Sequence, residues 1–321
     1  MFVTSDIFDL KQLSTRFTGW EGWRENLVAG IAVHGPHWPG HQAMADFLLE
    51  CARVSGVVDK MNVASYFVPG ERRSRVIKVG SLQRLIDGKL AGAKTAASVL
   101  LEGDQPAPGT RHNTIFFGGS GGRDAGPQPD FIRSDQYSAR FVFPLTGDHT
   151  ASGAKLLELA AGMIGAAYGY YFVRDEICDP TGYCRGSVPL LDYGPRVKDE
   201  ESDGVAWRNL SRSDRFWSVS PPILRDLYQV NLISERHTGQ PLGQLGYLTD
   251  WIAAAPGRGQ LRDLGGRRLI WSLTDAEVYS VRRLLDEAGL ILSCRDRVYR
   301  DLPYARQPNA QPTSTAPRII H

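Results

Sequence analysis

Five polar residue types that could together form an acid-base site are concentrated in one fourteen-residue stretch, LRDLYQVNLISERH, from Leu224 to His237. Histidine and glutamate can transfer protons near neutral pH when their surroundings shift their pKa values. Apolar residues are interleaved with the polar ones, however, and neither a nucleophile nor a metal-ligand spacing accompanies them. We therefore predict a structural role for the polar members, with the first two forming a buried ion pair or a helix-end hydrogen-bond set: Arg225, Asp226, Asn231, Glu235 and His237.

A second group of residues that could carry chemistry is the histidine series His34, His37 and His41, spaced H-x2-H-x3-H. Three imidazoles with an open fourth position would suit a hydrolytic zinc ion. A supporting carboxylate is hard to find nearby, because Asp46 lies further on, inside a predicted helix. The intervening GPHWPG describes a tight turn in which histidines commonly cap or stack. We predict a structural turn with no metal and no cofactor, and a metal-dependent hydrolase is the alternative.

The third group is the acidic run KDEESDG, which lies within the polar stretch 196–214. Such a run usually faces water in a surface loop. Its carboxylates could also contact a basic surface on another protein, since local charge complementarity speeds association without a large net charge. The acids concerned are Asp199, Glu200, Glu201 and Asp203.

Periodicity indicates helices and strands throughout the first part of the chain. Apolar residues recur at helical spacing from His41 to Val54, and Ser81 opens a second helix that ends at Leu90. Short apolar segments predict strands at 26–33, 63–68 and 114–117.

The second part of the chain contains the same strand-helix-strand unit twice. The first copy is predicted at 137–145, 150–164 and 168–173, and the second at 269–273, a helix from Thr274, and 290–292. Glu277 stands three residues after Thr274 and completes a capping box. We predict an α+β fold of two subdomains, each a mixed or antiparallel sheet with helices packed on one face.

The run GGSGGRDAGPQPD marks the expected boundary between the subdomains, because its Gly and Pro density is typical of a long connection. We predict an N-terminal subdomain at 1–127, a C-terminal domain at 128–302 and a Pro-rich, non-regular tail at 303–321.

Composition narrows the possible functions. The 321 residues are 42% hydrophobic and 22% charged, which is ordinary for a globular protein. Thirty-seven Lys and Arg against 35 Asp and Glu give a net charge of +2, which favours neither direct nucleic-acid binding nor an acidic DNA mimic. Four scattered cysteines, no secretory signal and no membrane-length apolar segment lead us to expect a cytoplasmic protein without membrane contact.

Two blocks of the sequence resemble the immunity protein 52 family of bacterial polymorphic-toxin and type VI secretion systems. The resemblance extends over about 141–292 and is clearest in LRDLYQVNLISERH and in WSLTDAEVYSVRRLLDEAGLIL. The matching residues of the first block are Arg225, Asp226, Tyr228, Asn231, Ser234 and His237. Those of the second block are Trp271, Leu273, Thr274, Glu277, Ala288, Gly289 and Leu290.

The resemblance implies a non-enzymatic antitoxin that neutralises a type VI effector by stoichiometric occlusion. Its partner would be the cognate toxin, a restriction-endonuclease-like DNase whose substrate-binding mouth is expected to be basic because it must hold a polyanion. The acidic run is then the first candidate for the contact surface, followed by Asp226 and Glu235. An effector adaptor or chaperone is a further possible partner, and a secretion-system adaptor or scaffold is a second alternative function.

Overall fold

The computed structural model describes residues 27–35, 41–55, 61–67, 75–77, 98–103, 114–119, 137–144, 148–175, 183–184, 204–207, 210 and 222–292. Strands within these ranges form one ten-stranded sheet. They are β1 (Leu27–Gly35), β2 (Met61–Phe67), β3 (Arg75–Ile77), β4 (Ser98–Gly103), β5 (Thr114–Gly119), β6 (Tyr137–Pro144), β7 (Tyr168–Asp175), β8 (Val230–Ser234), β9 (Gln260–Gly265) and β10 (Arg268–Ser272). The strand order is β3-β2-β4-β5-β6-β1-β7-β8-β10-β9, and every neighbouring pair is antiparallel.

The helices of the described ranges differ widely in length. They are α1 (His41–Ser55), α2 (His149–Ile164), α3 (Glu235–Thr238), α4 (Leu248–Ala253) and α5 (Asp275–Glu287). Helix α2 begins after Asp148, whose carboxylate accepts a hydrogen bond from Ala151 N at 2.9 Å, and ends at Gly165 in the left-handed conformation. Helix α5 begins after Thr274, and the predicted capping box with Glu277 is confirmed.

The first strand occupies the centre of the sheet. Strand β1 pairs with β6 on one side and with β7 on the other, both antiparallel. Strands β6 and β7 therefore run parallel to each other, and α2 makes the crossover that two parallel strands require. The position left open between them is filled by β1, which brings the start of the described chain into contact with its second half.

Both faces of the central strands are buried. On one face, α1 and α2 pack against alternate residues such as Ile31, Phe141 and Tyr171. On the opposite face, residues such as Tyr170 and Trp271 pack against α4 and α5. Burial on both faces is what the central strands of a large sheet require, since an uncovered face would leave apolar side chains in water.

The α+β class and the antiparallel sheet are confirmed. Two features differ from the prediction: the described strands form one sheet instead of two, and helices cover both faces instead of one. The physical reason is the same for both, because β1 inserts into the second unit and each central strand carries apolar residues on both sides. The boundary at 127/128, the 81–90 helix and the 303–321 tail lie outside the described residues.

Candidate functional site

The two motif blocks lie side by side, and each contributes a strand to the sheet. Leu224 N donates to Leu290 O at 2.8 Å, and Leu292 N donates to Leu224 O at 2.8 Å. This parallel bridge joins the start of the first block to the end of the second. Strand β8 of the first block also pairs with β10 of the second, which places Asn231 opposite Trp271. Residues separated by about fifty positions in the sequence thus form one structural unit.

Asn231 holds the turn that leads into β8. Its side chain is fully buried, its Oδ1 accepts from Tyr228 N at 3.1 Å, and its Nδ2 donates to Tyr228 O at 2.7 Å. Nδ2 also lies 3.4 Å from Trp271 O on the neighbouring strand. The indole of Trp271 is fully buried, and its Nε1 donates to Arg258 O at 2.8 Å. Both side chains therefore satisfy backbone groups that a purely apolar residue would leave without a partner.

Arg225 lies inside the protein, with only 4% of its surface exposed. Its Nη1 donates to the Tyr170 hydroxyl at 2.7 Å, and its backbone N donates to the Tyr168 hydroxyl at 2.9 Å. The guanidinium carbon lies 3.7 Å from the ring centroid of Tyr183 and 5.4 Å from that of Trp207, within the range of cation–π attraction. We call Arg225, Tyr170, Tyr183, Trp207 and Tyr228 the arginine cluster. Tyr228 belongs to it because its ring stacks on that of Tyr170 and its hydroxyl bonds to that of Tyr183.

The electrostatics of the arginine cluster leave one positive charge among neutral groups. Burial raises the pKa of Tyr170 and of Tyr228 above the ordinary range, so both phenols are uncharged at neutral pH. Burial alone would lower the pKa of Arg225, but the phenol oxygens around it raise that pKa overall. The guanidinium is therefore charged under physiological conditions.

Asp226 points away from the arginine cluster and pairs with α5. Its Oδ1 lies 2.5 Å from Arg282 Nε and also accepts from Leu227 N at 2.8 Å. Both side chains are mostly buried, at 19% and 23% exposed. The charge of Asp226 raises the pKa of Arg282. The sequence predicted that Arg225 and Asp226 form either a buried ion pair or a helix-end hydrogen-bond set. The ion pair between them is not formed, because the two side chains have separate partners, Tyr170 for Arg225 and Arg282 for Asp226.

His237 lies in the one-turn helix α3 and is buried. Its Nδ1 accepts from Ser234 N at 3.3 Å, and its ring lies 5.6 Å from that of Tyr168. Burial, and next the charge of Arg236, lower the pKa of His237 to about 3. An imidazole of this kind is neutral throughout the physiological range, so it cannot serve as a general acid there. Glu235, by contrast, is exposed and forms an ion pair with Arg267.

Of the three histidines proposed for the metal-site alternative, only His34 has a described side chain. It is 4% exposed, and its ring lies 5.2 Å from that of Trp207 and 6.5 Å from that of Tyr168. Burial, followed by the charges of Arg140 and Arg225, lowers its pKa to about 3. His37 lies outside the described residues, and His41 begins α1 without a described side chain. Among the described residues, no group of three or more His, Cys, Asp or Glu side chains is arranged to hold a metal ion.

The acidic run at 199–203 lies outside the described residues, but segments on either side of it are described. Before it come Tyr183 and Cys184, and after it come residues 204–207. Trp207 Nε1 donates to Cys184 O at 3.4 Å, so the two segments are in contact beside the arginine cluster. The side chain of Cys184 is buried.

The sequence motif contains Arg225 and Tyr228 of the arginine cluster but not Tyr170, Tyr183 or Trp207. The signal available was the alternation of Tyr168 and Tyr170, which places both rings on one face of a predicted strand. The contributions of Tyr183 and Trp207 carry no comparable signal, because they reach Arg225 only through the tertiary structure.

Comparisons with known proteins give limited similarity. No family model matches the chain, so its resemblance to the immunity protein 52 family stays a prediction. No curated protein matches it significantly. Among solved structures, the Pseudomonas aeruginosa T6SS protein PA0821 gives a TM-score of 0.49 at 13% identity, covering 83% of this chain and 73% of that one. A chain in the crystal structure of the toxic C-terminal tip of CdiA from Pseudomonas aeruginosa, in complex with immune protein, gives 0.21 at 13% identity, covering 47% and 88%.

The described helices include none that is long and apolar enough to cross a membrane.

Proposed function

We propose that the chain is an immunity protein that binds a cognate type VI effector and neutralises it by stoichiometric occlusion. One observation carries the proposal: the motif's buried polar side chains are engaged in contacts within the protein. Arg225 bonds to Tyr170, Asp226 pairs with Arg282, and Asn231 bonds to Tyr228. Because these side chains are bound to other residues of the same chain, their role is to stabilise the fold. A motif with a structural role of this kind supports a function based on binding.

The same geometry argues against catalysis by this motif. Acid-base catalysis near neutral pH requires a group whose pKa lies near the working pH and which reaches a substrate. Burial lowers the pKa of His237 to about 3, and its Nδ1 already accepts a backbone hydrogen bond. We propose accordingly that the chain is not an enzyme.

The effector is proposed to be a DNase with a restriction-endonuclease-like toxin domain. Support comes from the sequence resemblance described above, and the chain also resembles TsiT, an immunity protein against a nuclease effector, in length and arrangement. Such a toxin must hold a polyanion, so a basic substrate channel would attract acidic residues on the antitoxin.

The acidic residues 199–203 are the preferred candidates for that contact. Asp226 is a weaker candidate, because its charge is compensated by Arg282 and its side chain is only 19% exposed. Glu235 is exposed, but Arg267 already pairs with it. A toxin would have to displace both arginines before it could use these two carboxylates.

The test is co-expression with the toxin domain encoded by the neighbouring gene. Wild-type chain should restore growth, and purified chain should bind the toxin domain at a one-to-one ratio in a titration. Binding without protection would favour the adaptor function, and a chain that neither binds nor protects would refute the proposal.

Reversing two charges of the acidic run tests whether this run contacts the toxin. Glu200→Lys with Glu201→Lys should weaken binding by about tenfold or more, as expected for close charge pairs. The matched control reverses Asp250 and Glu287, two exposed acids of α4 and α5, with the same change in net charge. If both double variants bind as wild type does, the acidic run is not in the interface; if both weaken equally, only net charge matters.

A further inference from the structure

Arg225 contacts two chain segments that are far from it in the sequence, 183–184 and 204–207. Its guanidinium carbon lies 3.7 Å from the ring centroid of Tyr183 and 5.4 Å from that of Trp207, both within the range of cation–π attraction. The two segments also contact each other, because Trp207 Nε1 donates to Cys184 O at 3.4 Å. One side chain of the first motif block therefore joins both segments.

The guanidinium is itself oriented by the centre of the sheet. Nη1 of Arg225 donates to the Tyr170 hydroxyl at 2.7 Å, and the Arg225 backbone N donates to the Tyr168 hydroxyl at 2.9 Å. Both tyrosines belong to β7 and are fully buried. A planar guanidinium can donate in its plane while its face lies on an aromatic ring. Arg225 can therefore be fixed by β7 and lie against Tyr183 at the same time.

Both segments have further contacts with the sheet, and these place the two rings beside Arg225. The ring of Trp207 lies 5.2 Å from that of His34 on β1. The ring of Tyr183 lies 5.3 Å from that of Phe172 on β7. Loss of the guanidinium would remove a favourable contact from both segments at once and leave these ring contacts in place. Local opening of the two segments, with the sheet intact, is therefore the expected consequence.

We propose that Arg225 is a positioning residue for toxin binding: it fixes the segments 183–184 and 204–207, which flank the acidic run, against β7. The proposal rests on the proposed function, in which the acidic run contacts the toxin. Arg225 itself is only 4% exposed, so it acts through the two segments and not by touching the partner. Segments that are ordered before binding lose less conformational entropy when the complex forms, which raises the affinity.

Hydrogen–deuterium exchange of the purified full chain tests the positioning without a toxin. Arg225→Met keeps an apolar side chain of similar length and removes the guanidinium. We expect amide exchange in 183–184 and 204–207 to become about tenfold faster or more, because each segment loses a desolvated cation–π contact. Exchange in β8 and β10 should stay as slow as in wild type.

Arg258→Met is the matched control for the exchange experiment. Its guanidinium lies against another indole of the same core, at 4.2 Å from the Trp251 ring centroid. The substitution removes the same chemical group from a similar contact, and it should leave exchange in 183–184 and 204–207 unchanged.

A double-mutant cycle then tests whether Arg225 acts through the acidic run. Arg225→Met should weaken binding of the toxin domain by about tenfold at a temperature well below Tm, where the variant is folded. The charge reversal Glu200→Lys with Glu201→Lys should weaken binding less in the Arg225→Met background than in wild type, because both changes act on the same contact. A residue with a purely structural role would give effects that add.

Unchanged exchange in both segments of Arg225→Met overturns the proposal even if the wild-type chain binds the toxin, and so do additive effects in the cycle. A wild-type chain that does not bind the toxin refutes the proposed function and, with it, this role in binding. Should Arg225→Met fail to fold, Tyr183→Leu replaces it in both experiments, because it removes one of the two rings beside the guanidinium at a partly exposed position. Faster exchange in both segments with non-additive binding then supports the proposal, and unchanged exchange refutes it.

Discussion

Asp226 and Glu235 are acidic residues of one motif, each paired with an arginine, but their surroundings give the two ion pairs different energetic weight. The side chains of Asp226 and Arg282 are about four-fifths buried, whereas those of Glu235 and Arg267 are 53% and 73% exposed. Water and salt screen an exposed pair almost completely. A mostly buried cation that loses its partner keeps its desolvation cost without compensation.

We predict that Asp226→Asn destabilises the protein by about 1–3 kcal/mol, because Arg282 then loses the charge of the carboxylate that lies against its guanidinium in a mostly buried position. Glu235→Gln, the matched change in the exposed pair, should leave the free energy of unfolding unchanged within error. Urea unfolding of both variants at neutral pH measures the difference. Equal effects of the two substitutions would mean that burial does not govern these pairs.

At the level of single elements, two glycines of helix α2 should respond in opposite directions to replacement by alanine. Gly153 faces the sheet, and a Cβ added there would lie 2.2 Å from Cδ2 of Tyr171, whose ring is buried. Gly162 lies on the outer face of the same helix, and a Cβ added there meets no heavy atom within 4 Å. Alanine is favoured over glycine in a helix interior because it loses less backbone entropy on folding.

Gly162→Ala should therefore stabilise the protein by about 0.5–1 kcal/mol. Gly153→Ala should destabilise it by about 1–3 kcal/mol, since the Tyr171 ring must shift within a packed core. Thermal and urea unfolding of the two variants provide the comparison, with each acting as the control for the other. A stabilised Gly153→Ala variant would show that the ring moves without cost.

The elements that could be predicted from sequence are those with a clear period. The helix at 41–55, the β6-α2-β7 unit and the Thr274 capping box were all recognisable. Strand β8 was not, because VNLIS is buried at all five positions and therefore lacks the alternation of a half-exposed strand. The insertion of β1 between β6 and β7 depends on long-range pairing that no local pattern encodes. The aromatic surroundings of Arg225 depend on the same pairing, so most of the candidate site could not be predicted either.

Across the whole molecule, the sheet brings two neutral histidines into one buried region. His34 of β1 and His237 of α3 lie against the same Tyr168 ring, at centroid distances of 6.5 and 5.6 Å. Positive groups surround them: Arg140 and Arg225 act on His34, and Arg236 acts on His237. Burial is the main reason why both pKa values are low, and the neighbouring positive charges lower them further, because protonation of either ring would place another positive charge in this region.

Stability should therefore fall as the pH falls from about 6.5 towards 3. The folded-state pKa of each histidine is about 3, below the unfolded value of 6.5, so the unfolded chain binds protons first and gains stability in that interval. The loss should reach about 2 kcal/mol for each histidine between about pH 7 and pH 5, a window above the titration of most carboxylates. Urea unfolding across that window measures it, and His34→Gln with His237→Gln should flatten the dependence. The difference between wild type and the double variant isolates these two groups from every other titrating residue. If the slopes are the same, both imidazoles are protonated in the folded protein over this window, and the buried region must then accommodate both charges.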